Sequence, residues 1–332
     1  MPEAPATLQL VRAAPERAEE AISALLAAGP STAARFARQA EAASVPLDRI
    51  WCLADDHGRY RLAVLAVPSL GRTAMLLASH AHSPAEAREI GRAVAAAAEG
   101  CADCCDIAQS LIEPVRNLDI EAFEAGGLQR IATLEYLERN LPRAGILESC
   151  SVPEGWRIEA ASTSAVLSGS DPLALGEDRR REIMSVLEAS YRETLDCPGL
   201  AGLRRTGDVL DGHFGVGSRT RHWLVARRAR DGADAGEQPA EGICMLNAAP
   251  DNSTAELVYL GLAPEARGHG IARALLVEGL HRCSRSRIGA VSLAVDARNA
   301  PARALYESLG FRRVSSRVAL VRALSAGASR PD

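Results

Sequence analysis

The chain has 332 residues, of which 47% are hydrophobic and 24% are charged, which is typical of a globular protein and excludes a disordered one. This length is sufficient for two domains of ordinary size. The net charge of −4, from 42 acidic and 38 basic residues, argues against nucleic acid and membrane surfaces as partners.

Cysteine usage and the N-terminus predict a cytoplasmic protein. Eight cysteines in a chain of 332 residues do not form a disulfide scaffold. Cys101, Cys104 and Cys105 form C-x-x-C-C, but no second cysteine pair or histidine pair accompanies them, so we interpret them as reduced thiols and predict no metal site. The chain starts without a cationic and apolar leader and has no apolar run long enough to cross a membrane.

The first half of the sequence alternates strand and helix patterns. The turn residues D-D-H-G at 55–58 predict a hairpin between two of the strands. Strands are predicted over 7–11, 49–54, 60–67, 73–78, 107–111 and 128–137, and helices over 15–28, 84–99 and 119–124.

The second half follows a linker over 140–155 that contains proline and glycine. Its segments 195–217 and 229–241 are rich in glycine and polar residues and are predicted to be irregular. Strands are predicted over 156–160, 222–227, 242–247, 257–262 and 291–295, and helices over 177–193 and 271–283.

The stretch 256–273 joins a strand to a helix through a loop that contains Gly268 and Gly270. Such a turn leaves backbone N–H groups without carbonyl partners, and the missing Cβ atoms let an anion approach the backbone. Arg267 and Arg273 add positive charge on either side. The loop is neither a P-loop nor G-x-G-x-x-G, so an ordinary strand-to-helix turn is the alternative.

The segment after this helix adds a second motif, D-A-R-N-A-P-A-R-A-L-Y-E-S-L-G-F over 296–311. A strand, an R-x-x-G-x-A loop and a helix, followed by a strand and N-x-x-x-x-x-L-Y-E-x-x-G-F, resembles the GCN5-related N-acetyltransferase (GNAT) superfamily. The resemblance implies an α/β fold with a mixed, mostly antiparallel central sheet flanked by helices. It also implies acetyl-CoA as co-substrate and direct transfer of the acetyl group to a primary amine.

The resemblance assigns residues to the cofactor. The loop amides would bind its pyrophosphate, and the backbone of Leu260 and Leu262 would bind the pantetheine arm. Asn299 would bind the arm as well, or serve only as a helix N-cap. Arginines at 282, 285 and 287 would complement the helix dipole or meet the 3′-phosphate. The loop positions are Arg267, Gly268, His269, Gly270, Ile271, Ala272 and Arg273.

Two residues match the family's catalytic positions. Tyr306 would protonate the departing thiolate, because a phenol with a pKa of about 10 is close to a thiol in acidity. Glu256 would accept the proton of the amine, or is a surface residue at a strand edge. Segment 195–217 would cover the acceptor, and its polar candidates are Asp196, Cys197, Asp211 and His213. Cys197 is not expected to be a nucleophile, since the family transfers the acyl group directly.

A shift of 183 residues places 127–139 over 310–322 and Phe123 over Tyr306. This indicates two tandem acetyltransferase-like domains, over 1–145 and 154–325. In the first copy, P-A-E-A-R-E at 84–89 replaces the glycine loop, and its acids would repel a pyrophosphate. The first domain is therefore predicted to be degenerate and not to bind CoA, with His80 and His82 as polar loop residues.

Three functions are compatible with these patterns. The first is an acetyl-CoA-dependent N-acetyltransferase of a small amine, as a monomer or homodimer. The second uses another acyl-CoA, or a peptide or protein amine. The third is a CoA-sensing or scaffold protein without turnover, against which the presence of Tyr306 argues. Mycothiol synthases are also tandem, but no specific match to them is evident in the sequence.

Overall fold

The computed structural model describes residues 8–42, 45–142, 149–161, 176–214, 221–229 and 238–324. The chain divides into two compact units. Unit 1 consists of Met1–Ala132, Gly202–Arg204 and Arg317–Asp332, and unit 2 of Thr133–Ala201 and Arg205–Ser316. The domain limits 1–145 and 154–325 stay a prediction, and residues 1–7, 143–145 and 325 within them lie outside the described part of the chain.

Unit 1 is a mixed sheet with helices on both faces. Its strands are ordered β1-β2-β3-β4-β5-β12, and only the β4–β5 pair is parallel. Ile90 and Val94 of α3 pack on one face, and Ile22 and Leu25 of α1 pack on the other. The elements are β1 Gln9–Arg12, α1 Ala18–Leu26, α2 Pro30–Ala42, β2 Ile50–Ala54, β3 Tyr60–Ser69, β4 Thr73–Ala78, α3 Pro84–Glu99, β5 Ile107–Ile112, α4 Asn117–Ala125 and the start of β6 Gln129–Asn140.

Unit 2 has the strand order β6-β11-β10-β9-β8-β7, and only β10 and β11 run parallel. Helices α5 and α6 cover one face of this sheet, and α7 covers the other. The predicted fold class, a mixed and mostly antiparallel sheet flanked by helices, is confirmed. The elements are β7 Trp156–Ala160, α5 Glu177–Tyr191, α6 Thr206–His213, β8 Arg221–Arg228, β9 Ala240–Ala248, β10 Thr254–Leu262, α7 Ile271–Arg285, β11 Ala290–Asp296, α8 Ala300–Ser308 and β12 Arg312–Ala323.

The internal repeat is visible in the element bounds. The shift of 183 residues carries α4 (Asn117–Ala125) onto α8 (Ala300–Ser308) without any offset at either end. It likewise carries β6 (Gln129–Asn140) onto β12 (Arg312–Ala323). The tandem organisation predicted from sequence is confirmed at the level of secondary structure.

The last strand of each repeat is divided between the units. Leu134–Asn140 of β6 pairs with β11 in unit 2, and Val318–Ala323 of β12 pairs with β5 in unit 1. The part of β6 in unit 2 contributes Leu137 to the hydrophobic core. Its Glu135 is nearly buried and forms ion pairs with Arg303 of α8 and Arg313 of β12. Unit 2 therefore needs residues that precede the predicted catalytic domain.

Two helices were not predicted. Helix α2 has few large apolar residues, and only the small side chains of Ala33 and Ala40 are buried, so its periodicity is weak. Helix α6 lies inside the segment 195–217 that was predicted to be irregular, of which 215–217 lie outside the described residues. Gly207 and Gly212 act as apparent helix breakers there, while Val209 and Leu210 are buried.

Candidate active site

Strands β10 and β11 separate halfway along their length. Their parallel ladder joins Thr254–Leu257 to Ala290–Leu293 and extends no further. At the same point the pairing of β10 with β9 shifts register between Leu257 and Tyr259, which leaves Val258 as an extra residue. A bulge of this kind bends its strand. The result is a cleft between the second halves of β10 and β11.

The backbone of Leu260 and Leu262 faces this cleft. Ala263 donates its N–H to the Glu241 carbonyl across the β9–β10 ladder at 2.8 Å. In an antiparallel ladder alternate residues point to the same neighbour, so Tyr259 and Gly261 also bond β9. Leu260 and Leu262 consequently point their N–H and C=O groups toward β11. This orientation suits the pantetheine arm that the sequence assigned to them.

The glycine loop presents a row of backbone donors. Gly268 and Gly270 have φ of +80° and +77°, and no heavy atom lies within 4 Å of a Cβ built on Gly268. Ala274 is the first residue of α7 whose N–H reaches back to a carbonyl, that of Gly270 at 3.1 Å. Among the described residues, none accepts a hydrogen bond from the N–H groups of 268–273. These donors at a helix N-terminus form a cradle for an anion.

Arg267 lies elsewhere than the sequence suggested. Its guanidinium donates to the carbonyls of Ser190 and Arg192 at 3.2 and 2.6 Å, at the end of α5. It also donates to the carbonyls of Glu193 and Leu262. This geometry argues against a contact between Arg267 and the pyrophosphate, because its donors are used on backbone carbonyls. The Arg273 guanidinium donates to Ser308 Oγ at 2.8 Å, at the end of α8.

The equivalent site in unit 1 is closed by the chain itself. The Ser83 hydroxyl accepts the Glu86 N–H at 3.2 Å, and the Glu86 carboxylate accepts the His82 N–H at 2.9 Å. This capping box uses the donors that α7 leaves open, and Pro84 has no N–H to offer. A carboxylate thus occupies the position of an incoming anion. The arrangement supports the prediction that this copy does not bind CoA.

Tyr306 lies on α8 inside the core of unit 2. Its side chain is 7% exposed and meets the Phe311 ring edge-on, with ring centroids 5.9 Å apart. Burial raises the pKa of its phenol, and the negative charge of Asp196 raises it further. None of the described residues is hydrogen-bonded to the phenol. Tyr306 therefore remains protonated across the physiological range and is available as a proton donor.

Asn299 acts as the N-cap of α8, and its side chain accepts the Ala302 N–H at 3.3 Å. The same side chain donates to the Asp196 carboxylate and opposes the rise in its pKa. The helix-cap alternative is thus the role visible here. Assignment of Asn299 to the cofactor arm stays a prediction.

Asp196 lies at the mouth of the cleft between β10 and β11. Its carboxylate accepts the N–H of Asp296, the last residue of β11, at 2.9 Å. The Asp296 carboxylate in turn accepts the Cys197 N–H, and it forms an ion pair with Arg298 at 2.7 Å. Desolvation is the main cause that raises the pKa of Asp196. This reciprocal pair docks the loop after α5 onto the end of β11, close to Tyr306.

The other loop candidates contribute less directly. Asp211 forms an ion pair with Arg180 at 2.7 Å, which links α6 to α5. The His213 ring lies 5.7 Å from the Tyr259 ring, measured between centroids. Tyr259 was not singled out in the sequence, because a tyrosine within an apolar strand has no distinguishing pattern. Its hydroxyl is 2.7 Å from Ser190 Oγ, and burial raises its pKa to about 12.

Glu256 is exposed on β10, one residue before the core side chain of Leu257. The protein around its carboxyl nevertheless removes enough water to raise its pKa, with desolvation as the cause. A carboxylate that is open to solvent and has a raised pKa is suited to accept a proton from an amine. The position thus fits the predicted base without excluding the strand-edge alternative.

The C-x-x-C-C segment belongs to the core of unit 1. Cys101 and Cys105 are buried, and desolvation raises the pKa of both thiols, to about 12 for Cys105. All eight cysteines are free thiols. Among the described residues, no helix combines the length and apolar composition required of a membrane span.

Comparison with known proteins agrees with this geometry. The sequence profile described as "Acetyltransferase (GNAT) family" matches residues 211–311. A mycothiol acetyltransferase of Paenarthrobacter aurescens is 35% identical over 129 residues, which cover 34% of this chain and 39% of the relative. That of Thermomonospora curvata is 38% identical over 120 residues, covering 34% and 40%. The chain thus spans less than half the length of these curated relatives, and the expectation of no specific match to mycothiol enzymes is wrong.

Solved structures extend the likeness in fold to nearly the whole chain. A GCN5-related N-acetyltransferase from Sphaerobacter thermophilus superimposes with a TM-score of 0.56 at 17% identity, covering 97% of both chains. A tandem GNAT protein from the clavulanic acid biosynthesis pathway has a TM-score of 0.50 at 20% identity, covering 85% of this chain and 83% of that one. The chain therefore has the tandem GNAT fold, and through residues 211–311 it belongs to the acetyltransferase (GNAT) family.

Proposed function

We propose that unit 2 is an acetyl-CoA-dependent N-acetyltransferase that acts on a primary amine of a small molecule. The observation that carries this is the cleft between β10 and β11, which leads to a glycine loop with open backbone donors. GNAT proteins use an acyl-CoA donor, and the relatives that match are named as acetyltransferases of mycothiol. That name favours a small acceptor over a peptide or protein.

The residues divide the reaction between them. The N–H groups of 268–273 hold the pyrophosphate, and the backbone of Leu260 and Leu262 aligns the arm and polarises the thioester carbonyl. Glu256 takes the proton from the amine, directly or through a water molecule, as the nitrogen bonds to the carbonyl carbon. Tyr306 gives its proton to the thiolate as the C–S bond breaks. Unit 1 has no role in this chemistry.

Titration with acetyl-CoA tests the proposed cofactor site. We expect one site per chain, with affinity reduced at least about tenfold in Gly270→Glu, because the added carboxylate repels the pyrophosphate and the φ of +77° disfavours a side chain. His269→Glu places a carboxylate at the position equivalent to Glu86 without this backbone strain, and should also weaken binding. His269→Gln is the neutral control. Two sites would show that unit 1 also binds, and no binding at all would reject the proposed function.

The pH dependence of the rate tests the proposed base. Glu256 must be ionised to accept a proton, so kcat/KM should fall as the pH drops through its pKa. Because desolvation raises that pKa, the fall should lie above the pH of about 4.3 expected for an ordinary glutamate. Glu256→Gln should remove this acid limb and lower kcat by about a hundredfold. If Asp196→Asn removes the limb and Glu256→Gln does not, Asp196 is the base.

A further inference from the structure

Arg221, the first residue of β8, is a buried cation that the proposed chemistry does not use. Its side chain belongs to a residue that is only 7% exposed. One nitrogen, Nη2, donates to the Phe214 carbonyl at 2.6 Å. Nε and Nη1 are buried and have no hydrogen-bond partner. No carboxylate among the described residues forms an ion pair with this guanidinium, so its charge is not neutralised.

The sheet register places Arg221 on the same face as Glu256. Arg221 pairs with Asn247 of β9, and Asn247 pairs with Glu256 of β10. Directly paired residues of antiparallel strands project to the same face. Trp223, two residues after Arg221, packs against α5 and α6, which identifies that face. Arg221 and Glu256 are thus two strands apart, roughly 10 Å between Cα atoms at ordinary strand spacing.

A structural role accounts for only part of this arrangement. The carbonyls of His213 and Phe214, at the end of α6, accept from Asn247 Nδ2 and Arg221 Nη2, so Arg221 helps to cap that helix. A helix C-terminus stabilises a cation near it. However, a neutral donor would suffice for one carbonyl, and Asn247 already supplies one. Two unpaired N–H groups on a buried cation are unfavourable unless something binds them.

We propose that Arg221 binds an anionic group on the acceptor, so that the substrate is an amine that also carries a carboxylate or a phosphate. This rests on the proposed function, because it assumes that the amine is held near Glu256. The planar guanidinium has two adjacent free donors, Nε and Nη1, which match the two oxygens of such an anion. The amine and the anion are then separated by several bonds, as the two-strand spacing requires.

The test compares amines that differ only in the anion. Wild type is assayed with ω-amino acids of increasing length against their amides, and with glucosamine 6-phosphate against glucosamine. We expect kcat/KM to favour the anionic member of the best pair by roughly tenfold to a hundredfold. Arg221→Met should bring this ratio close to one, and Arg221→Lys should restore part of it, since lysine keeps the charge without the planar fork.

Thermal unfolding separates this role from a structural one. Arg221→Met should leave Tm unchanged or raise it, because it removes an unpaired buried charge. The matched control is Arg180→Met, which breaks the ion pair with Asp211 in the same unit and should lower Tm without changing the substrate ratio. A lower Tm in Arg221→Met together with an unchanged ratio would overturn the inference.

The two proposals fail in different ways. If the protein binds no acetyl-CoA and acetylates none of the amines, the proposed function is wrong. If it acetylates them but uses both members of each pair equally, or if Arg221→Met lowers both rates equally, the proposed function stands and the role of Arg221 is rejected.

Discussion

Replacing Tyr306 with phenylalanine is expected to lower kcat by about 10²–10⁴-fold, the usual contribution of a positioned general acid. Without the phenol, the thiolate must leave unprotonated or take its proton from water. KM for acetyl-CoA should change little, because the loop amides and the strand backbone that hold the cofactor are untouched. Steady-state kinetics with the best amine of the panel measures both effects.

The fold of the Tyr306→Phe variant should be unaffected. The phenol has no hydrogen-bond partner among the described residues, and the ring keeps its contact with Phe311. Tyr259→Phe is the matched control, since it removes the hydroxyl beside Ser190 in the same unit and should lower kcat far less. Full activity in Tyr306→Phe would eliminate the proposed general acid, and equal losses in both variants would leave the assignment without support.

A chain that begins at residue 154 is expected not to fold into a unit that binds acetyl-CoA. It lacks Leu134–Asn140 of β6, which pairs with Ala290–Asp296 of β11. The edge of β11 is then unpaired beside the cleft, and the core loses the side chain of Leu137. Arg303, one turn before Tyr306 on α8, loses its ion pair with Glu135. A buried edge without partners is strongly unfavourable.

Circular dichroism, thermal unfolding and acetyl-CoA titration measure this loss, and a chain beginning at residue 129 is the matched control. That chain keeps all of β6 and should recover acetyl-CoA binding. In the full-length protein, Leu137→Ala should reduce the free energy of unfolding by about 2–5 kcal/mol, whereas Glu138→Ala, exposed on the same strand, should change it little. Wild-type affinity in the shorter chain would show that unit 2 does not depend on β6.

Much of the fold was predictable because the repeat constrains it twice. The shift that relates 127–139 to 310–322 also relates α4 to α8 and β6 to β12 at their observed bounds. Within each copy, the strand and helix patterns depend on neighbouring residues, which the sequence shows directly. Helix α6 was missed because two glycines obscure a pattern that depends on Val209 and Leu210 packing into the core.

The site divides along the same line. The two glycines predicted a loop with left-handed backbone and open donors, and both have positive φ. Glu86 was predicted to oppose an anion in the first copy, and it does so through a capping box that the S-P-A-E sequence encodes locally. In contrast, the pattern around Arg267 suggested a phosphate contact, while its guanidinium donates to carbonyls more than 70 residues away in sequence.

By itself, the sequence determined the family, the tandem repeat, the anion-binding turn and the position of Tyr306, because each depends on spacing within one short segment. Tertiary structure alone decided that β6 completes unit 2, that β10 and β11 separate after Leu257, and that Asp196 and Arg221 lie on the side of the proposed acceptor. These features arise from pairing and packing between segments that are distant in the chain. No local periodicity encodes which strand a distant segment will pair with, so the residues that read the acceptor become visible only when the sheet is assembled.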